Sequence, residues 1–285
     1  MKKLLVSALV AVLGFTGLIN AAQSPLNMAA MNQPNGHHVP AYLRGAYENT
    51  ATATANLKKA GFTIVKQYNI LNYGTNILFT DATLKQEAAK KDRGFIAIMR
   101  LYIDKKDHQI SITNPIYFGK AFMQDNYSQS VFYKELTKIT SVFTGLNSSA
   151  DQLKFDDLLE YHFMWGMPYY TDFTTLGKGT NEALLAKLKS YKNGKNFLFD
   201  LQLADGSYVV GYKLNKKISS FPKTIGLKNA LVLPYLILIS DGKAKILNPK
   251  YYLAISYPLL SMGQFMQISS IPGDIESDLK KPFDD

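Results

Sequence analysis

Along this 285-residue chain, helical and strand-like spacings of apolar residues follow one another in an order that occurs twice. In "ENTATATANLKKAG" (residues 48–61), Ala53, Leu57 and Ala60 share one helix face, Asn49 or Thr50 serves as cap, and Gly61 ends the helix. "FTIVKQYNI" (62–70) is rich in β-branched and aromatic residues and predicts a strand. A turn at Asn72-Tyr73-Gly74 then leads to a second strand over 76–80. Asp81 or Thr83 caps a short helix predicted to reach Lys91 and stop at Gly94. "FIAIMRLYI" and "QISIT" flank the polar tip Asp104-Lys105-Lys106-Asp107 as a hairpin. In the second half, a helix turns Leu184, Leu185, Leu188 and Tyr191 inward. Strands over 197–203 and 208–214 meet at Asp205-Gly206, a weak helical segment breaks at Pro222, and a hairpin spans 231–239 and 244–247.

With short strands over 40–47 and 169–175 in front, each half reads strand, helix, two strands, short helix, hairpin, helix. That order predicts an α+β fold of two similar domains, each a mostly antiparallel sheet covered by helices, packed as a pseudo-two-fold pair. One motif marks the register of the repeat: "ITNPIYF" (112–118) is answered by "ILNPKYY" (246–252). The residue before proline is held extended, asparagine is a strong N-cap, and proline fits the first helical position. Asn114-Pro115 and Asn248-Pro249 are therefore strand-to-helix switches. A helix follows the first switch, with Phe132, Leu136, Ile139 and Phe143 at helical spacing; the tail after the second breaks into short helical pieces.

The chain opens as a secretory leader: Lys2 and Lys3, an apolar run from Leu4 to Ile19, then small residues around Asn20-Ala21-Ala22. The expected organisation is a leader (1–22), a flexible arm (23–39), a first repeat domain (40–144), a connector (145–167) that opens with a polar break and a short helix over 151–161, and a second repeat domain (168–285). No later stretch is long and apolar enough to predict a membrane span. The expectation is a periplasmic protein without disulfides, since the chain has no Cys.

Two stretches are similar to the domain of unknown function 302 family. "LKKAGFTIVKQYNI" (57–70) resembles its helix-to-strand signature. "ALVLPYLILISDGKAKILNP" (230–249) resembles its closing hairpin, in which a strand containing Leu-Pro turns back into one ending in Asn-Pro. The resemblance covers most of 40–144 and 168–281. It implies a compact α/β sandwich that dimerises, so a tandem copy would imitate that dimer internally. Where the family often carries Cys-Asn-Pro, this chain has Thr80-Asp81 and Leu214-Asn215, so thiol chemistry there is absent. The resemblance implies no activity.

The net charge of +10, two of it from Lys2 and Lys3, fits a solvated surface of scattered lysine pairs or an anionic partner; export argues against nucleic acid. Three sets of residues are candidates for chemistry. Tyr117 and Tyr251 sit at the third helical position after each switch, where an anionic or amphipathic ligand could bind, or they pack against the hairpin. "YHFMWGMPYY" (161–170) has no counterpart in the first half. Its His162, Met164 and Met167 suit copper or haem iron, and Trp165 a ligand surface, or the stretch plugs a gap between domains. His37-His38 closes the arm as a solvated pair or a metal site. No G-x-S-x-G, HExxH or P-loop occurs. The expectation is an exported, non-enzymatic binding or accessory protein for a small anionic or amphipathic molecule or a periplasmic protein partner. A copper- or haem-handling protein and an enzyme with a dispersed site are the alternatives.

Overall fold

The computed structural model describes residues 24–284; the expected leader lies outside the described residues. Its strands in the first half are β1 (Ser24–Pro25), β2 (His38–Pro40), β3 (Tyr42–Ala46), β4 (Thr63–Ile70), β5 (Gly74–Thr80), β6 (Met99–Asp104), β7 (Gln109–Thr113), β8 (Asn147–Ser148) and β9 (Gln152–Lys154). In the second half they are β10 (Thr174–Lys178), β11 (Phe197–Gln202), β12 (Tyr208–Tyr212), β13 (Tyr235–Ser240) and β14 (Lys243–Ile246). The first sheet runs β1-β8-β3-β7-β6-β5-β4, the second β10-β14-β13-β12-β11, and β2 pairs with β9. All pairings are antiparallel, so the architecture is α+β. The core of the first sheet, β3-β7-β6-β5-β4, has the strand order of the whole second sheet. In both, the first strand of the unit closes against the last.

Both switches form as expected. Asn114 accepts from the Ile116 amide at 3.0 Å and starts helix Pro115–Met123; Asn248 accepts from the Lys250 amide at 3.0 Å and starts helix Pro249–Ser256. After the first switch the expected helix divides in two, and Gln129–Val142 follows after a 3-10 turn. Asn49 and Asp81 cap their helices through the Thr52 and Leu84 amides. The helix after Asp81 ends at Ala88, short of Lys91.

Several stretches depart from the expectation. Apolar residues 95–97 and 231–232, expected as strand, lie in 3-10 segments Gly94–Ala97 and Leu227–Val232 that lead into β6 and β13. The second repeat's opening strand starts at Thr174 rather than 169. The arm is folded: helix Met28–Asn32 buries Met31, and Gln129 Nε2 donates to the Met31 and Asn32 carbonyls at 2.8 and 3.0 Å. The front of the connector belongs to the first half. Asn147 and Ser148 pair with Arg44 and Leu43 along the otherwise open edge of β3, and residues 152–154 pair with β2. In place of the helix over 151–161 there is a single 3-10 turn, Asp156–Leu158.

The halves meet through reciprocal contacts. The Tyr117 hydroxyl donates to the Ile255 carbonyl at 2.9 Å, and the Tyr251 hydroxyl to the Ala121 carbonyl at 3.4 Å. Counted from its own switch, each tyrosine reaches the same carbonyl of the other helix. The segments before β6 and β13 are exchanged in the same way. Gly94 lies so close to Leu238 of β13 that a Cβ there would stand 2.4 Å from its Cδ1. The carbonyls of residues 228–233, in turn, rest on the first sheet.

The two switches differ in burial. Asn114 is fully buried and its Nδ2 also holds the Pro40 carbonyl at 2.8 Å, whereas Asn248 is half-buried. Asn114→Ala should cost about 2–3 kcal/mol, from the lost cap and an orphaned buried carbonyl, against about 1 kcal/mol for Asn248→Ala. Urea unfolding of the two variants checks this; equal losses would contradict it.

Candidate functional site

Strand alternation gives the first sheet two faces. Leu43, Ile77, Phe79, Leu101, Ile103, Ile110 and Ile112 form an apolar face, with Phe79 packed on Phe62 at the end of helix Thr50–Lys59. The opposite face carries Tyr42, Arg44, Asn76, Arg100, Tyr102, Ser111 and Thr113. Register sets Arg44 beside Ser111, Ser111 beside Tyr102, and Tyr102 beside Asn76. A half-polar face of this kind ordinarily meets water. Here every residue of β5 and β6 is buried, because the second half covers it.

Several of these polar groups are matched, while the Tyr102 hydroxyl and Asn76 Oδ1 are buried without a hydrogen-bond partner. Arg44 donates to Ser111 Oγ, to the Lys228 carbonyl at 2.7 Å and to Asn229 Oδ1 at 2.6 Å, and stands 3.6 Å from Asp151. Asn229 passes the chain to the Ser256 carbonyl at 3.1 Å, where the Tyr42 hydroxyl also donates at 2.8 Å. Asn76 Nδ2 donates to the Leu231 and Leu233 carbonyls at 3.0 and 2.6 Å.

Arg100 differs. It is 3% exposed, its Nη1 donates to the Leu231 carbonyl at 2.5 Å, and its Nη2 has no partner. Among the described residues no carboxylate forms an ion pair with it. Burial pushes its pKa down from the usual guanidinium value. It lines a cavity of about 30 Å³ between the halves, together with Tyr42, Phe118 and Phe122 from the first and Leu236, Leu247 and Tyr252 from the second. Such a volume holds about two waters.

The repeat shows whether the fold needs an arginine there. Ser111 and Lys245 each lie three residues before their switch, and pair with Tyr102 and Leu238. Two residues upstream of those partners stand Arg100 and Leu236. The same place in the second unit is therefore an ordinary core leucine, lining the same cavity from the other side.

The residues expected from sequence fall elsewhere. Tyr117 and Tyr251 are brought together, but as a clamp: both are buried, their hydroxyls are taken by backbone carbonyls, and burial pushes both pKa values up. They meet the opposite helix rather than the hairpin. In the stretch 161–170, Tyr170 is buried and donates to the Asp92 carbonyl at 2.6 Å, Tyr161 packs on Tyr251, and Phe163 stacks on Phe265 at 5.3 Å. Trp165, at the tip, is 95% exposed. His162 packs on Tyr169 with Nδ1 3.2 Å from the Glu160 carbonyl; Met164 is exposed, whereas Met167 packs on the core. His37 and His38 are exposed. Sequence reasoning passed over Arg100; its signal was a lone arginine inside an apolar strand.

A second ionisable cluster ties helix Gln129–Val142 to the cap at Asp81. Lys138 pairs with both Asp81 and the fully buried Glu135. Burial first, and Asp81 next to it, raise the Glu135 carboxyl to about 7 despite Lys138; hydrogen bonds from Leu84 and Lys138 hold Asp81 below its usual value despite burial. A raised carboxyl supports the fold fully below its unfolded value of 4.5 and loses that support as pH rises through about 7.

Between pH 4.5 and 7, Glu135→Gln should therefore remove a fall in stability on the order of 2–3 kcal/mol. Denaturant midpoints across that range check it, and an unchanged slope would refute the assignment. Arg100→Met should leave the ligand-free protein as stable or raise it by about 1–2 kcal/mol, since it removes an unpaired buried charge while Asn76 keeps the Leu231 carbonyl bonded. A loss of 3 kcal/mol or more would mark Arg100 as a structural group.

Comparison with protein-family models, with curated proteins and with solved structures finds no match to this chain.

Proposed function

We propose that this chain is an exported binding or accessory protein that holds a small anionic or amphipathic molecule between two copies of one α+β unit. The observation that carries this is Arg100, a buried guanidinium with one carbonyl partner, no carboxylate and a free nitrogen. Burying an unpaired charge is costly, and the second unit folds with leucine at the same place. An anion supplied from outside completes the arginine's interactions, and the aromatic and aliphatic walls accommodate an apolar portion. The site has no nucleophile next to a base, which favours binding over catalysis.

Two further parts belong to the proposal. The units pack as a pseudo-two-fold pair, supported by their common strand order and by the tyrosine bonds that each sends to the other, as an isologous contact requires. The protein acts in the periplasm, supported by the basic-apolar-small order of residues 2–22.

Native mass spectrometry of protein released gently from the periplasm should show a small anionic adduct, lost on mild activation. A thermal-shift panel of organic anions should find at least one that raises the unfolding midpoint by about 5–10 °C near 100 times its dissociation constant. The rise should be absent in Arg100→Met. A panel without any Arg100-dependent rise, together with an adduct-free spectrum, would rule the function out.

A further inference from the structure

We infer that the cavity at Arg100 takes a short-chain monocarboxylate, of roughly one to four carbons, bound by its carboxylate to Arg100 Nη2 and the Tyr252 hydroxyl. This rests on the binding function above and narrows its ligand. The donors at the cavity select the head group. Arg100 brings its unpartnered, buried Nη2 next to Nη1, which the Leu231 carbonyl holds. Tyr252 brings a hydroxyl whose present bond, to the Val232 carbonyl, is 3.4 Å long and therefore weak. The ring lines the same cavity, and the hydroxyl is close enough to Arg100 for the guanidinium charge to lower its pKa against the rise that burial imposes.

Two donors suit the two oxygens of a planar carboxylate, one for each. Phosphate or sulfate would bring further oxygens into a site that offers them apolar walls, and each unpaired oxygen is costly. The nearby carbonyls of Leu231, Leu233 and Ser256 already accept bonds and repel additional negative charge. The walls select the tail. Phe118, Phe122, Leu236 and Leu247 supply an apolar surface that chloride would not use. The free volume of about 30 Å³ admits only the carboxylate head as it stands, and each added carbon requires the apolar walls to move outward. Nη2 has almost no exposed surface in the empty protein, so binding requires a side-chain rearrangement around it.

The test is calorimetric and thermal-shift titration of the purified full-length protein with formate, acetate, propionate and butyrate. Sodium chloride, sodium phosphate and propionamide are the controls, at matched ionic strength. Saturable binding is expected for the carboxylates, tightening from formate to propionate, with no effect of propionamide. Tyr252→Phe, which keeps the ring, should weaken propionate about ten-fold, and Arg100→Met should abolish its binding. Arg100→Lys retains the charge without the planar fork, should weaken propionate at least ten-fold, and supplies the comparison if the methionine variant does not fold. Arg100-dependent binding of phosphate or chloride with no response to carboxylates would overturn the monocarboxylate while leaving an anion-binding protein. Equal binding of propionate and propionamide would overturn the charge-based head group. If no anion binds the folded wild-type protein, this inference and the binding function both fall.

Discussion

A sheet that turns a half-polar face inward places one demand on the rest of the molecule: each of those groups must find a partner without water. In the first unit that face is the row Arg44, Ser111, Tyr102 and Asn76, with Tyr42, Arg100 and Thr113 along its flank. Tyr42, Arg44, Asn76 and Arg100 find partners in the second half, chiefly the backbone carbonyls of the segment before β13; Ser111 and Thr113 are bonded within the first sheet, and the Tyr102 hydroxyl has no partner. Carbonyls suit this role because each can accept twice, and a 3-10 stretch leaves several of them free of regular ladder bonds. Separating the units would expose both the row and the carbonyls that answer it.

What the sequence made legible was local. Caps, turns and switches depend on a few adjacent residues, so Asn49, Asp81, Asn114 and Asn248 appear where their chemistry puts them. Strands β4, β5, β11 and β12, rich in β-branched, aromatic or leucine residues, stand within a few residues of their expected limits. Pieces that exist only because something distant needs them were not legible. β1 and β8 are two residues long and carry no periodicity; they form because the edge of β3 is open. The same holds for the arm helix, which is held by the buried Met31 and by Gln129. Residues 95–97 and 231–232 look like strand because an apolar β-branched run fits either structure. They become 3-10 turns because each must cross to the other unit before its own strand begins.

The candidate site was hidden for a related reason. In "MRLYID", alternation reads as a half-exposed strand, and an arginine at a polar position draws no notice. Only the three-dimensional pairing shows that the face is covered and that Arg100, unlike Arg44, has no acid to balance it. Tyr117 and Tyr251 were conspicuous for the opposite reason. Repeated motifs attract attention, yet what both copies retain here is the clamp that joins them. The stretch 161–170 divides along similar lines: Tyr170 is buried and Tyr161 half-buried against Tyr251, while Trp165 is left in solvent.

The common strand order of the two sheets allows the halves to be compared position by position. A position that serves folding has the same work to do in each unit, as the two Asn-Pro switches and their tyrosines do. At the cavity the units differ, with Arg100 on one wall and Leu236 on the other. Burial works against the arginine's charge, and the leucine demonstrates that the unit can be built without it. An apolar side chain there would satisfy packing, and Asn76 alone would satisfy the Leu231 carbonyl. What the arginine adds is a free donor with a fixed positive charge, beside a tyrosine whose hydroxyl is weakly held. Neither contributes much to an empty cleft. Both would gain interactions from an anion, so the difference between the halves is what directs the proposed binding function to this cavity rather than to the repeated motif.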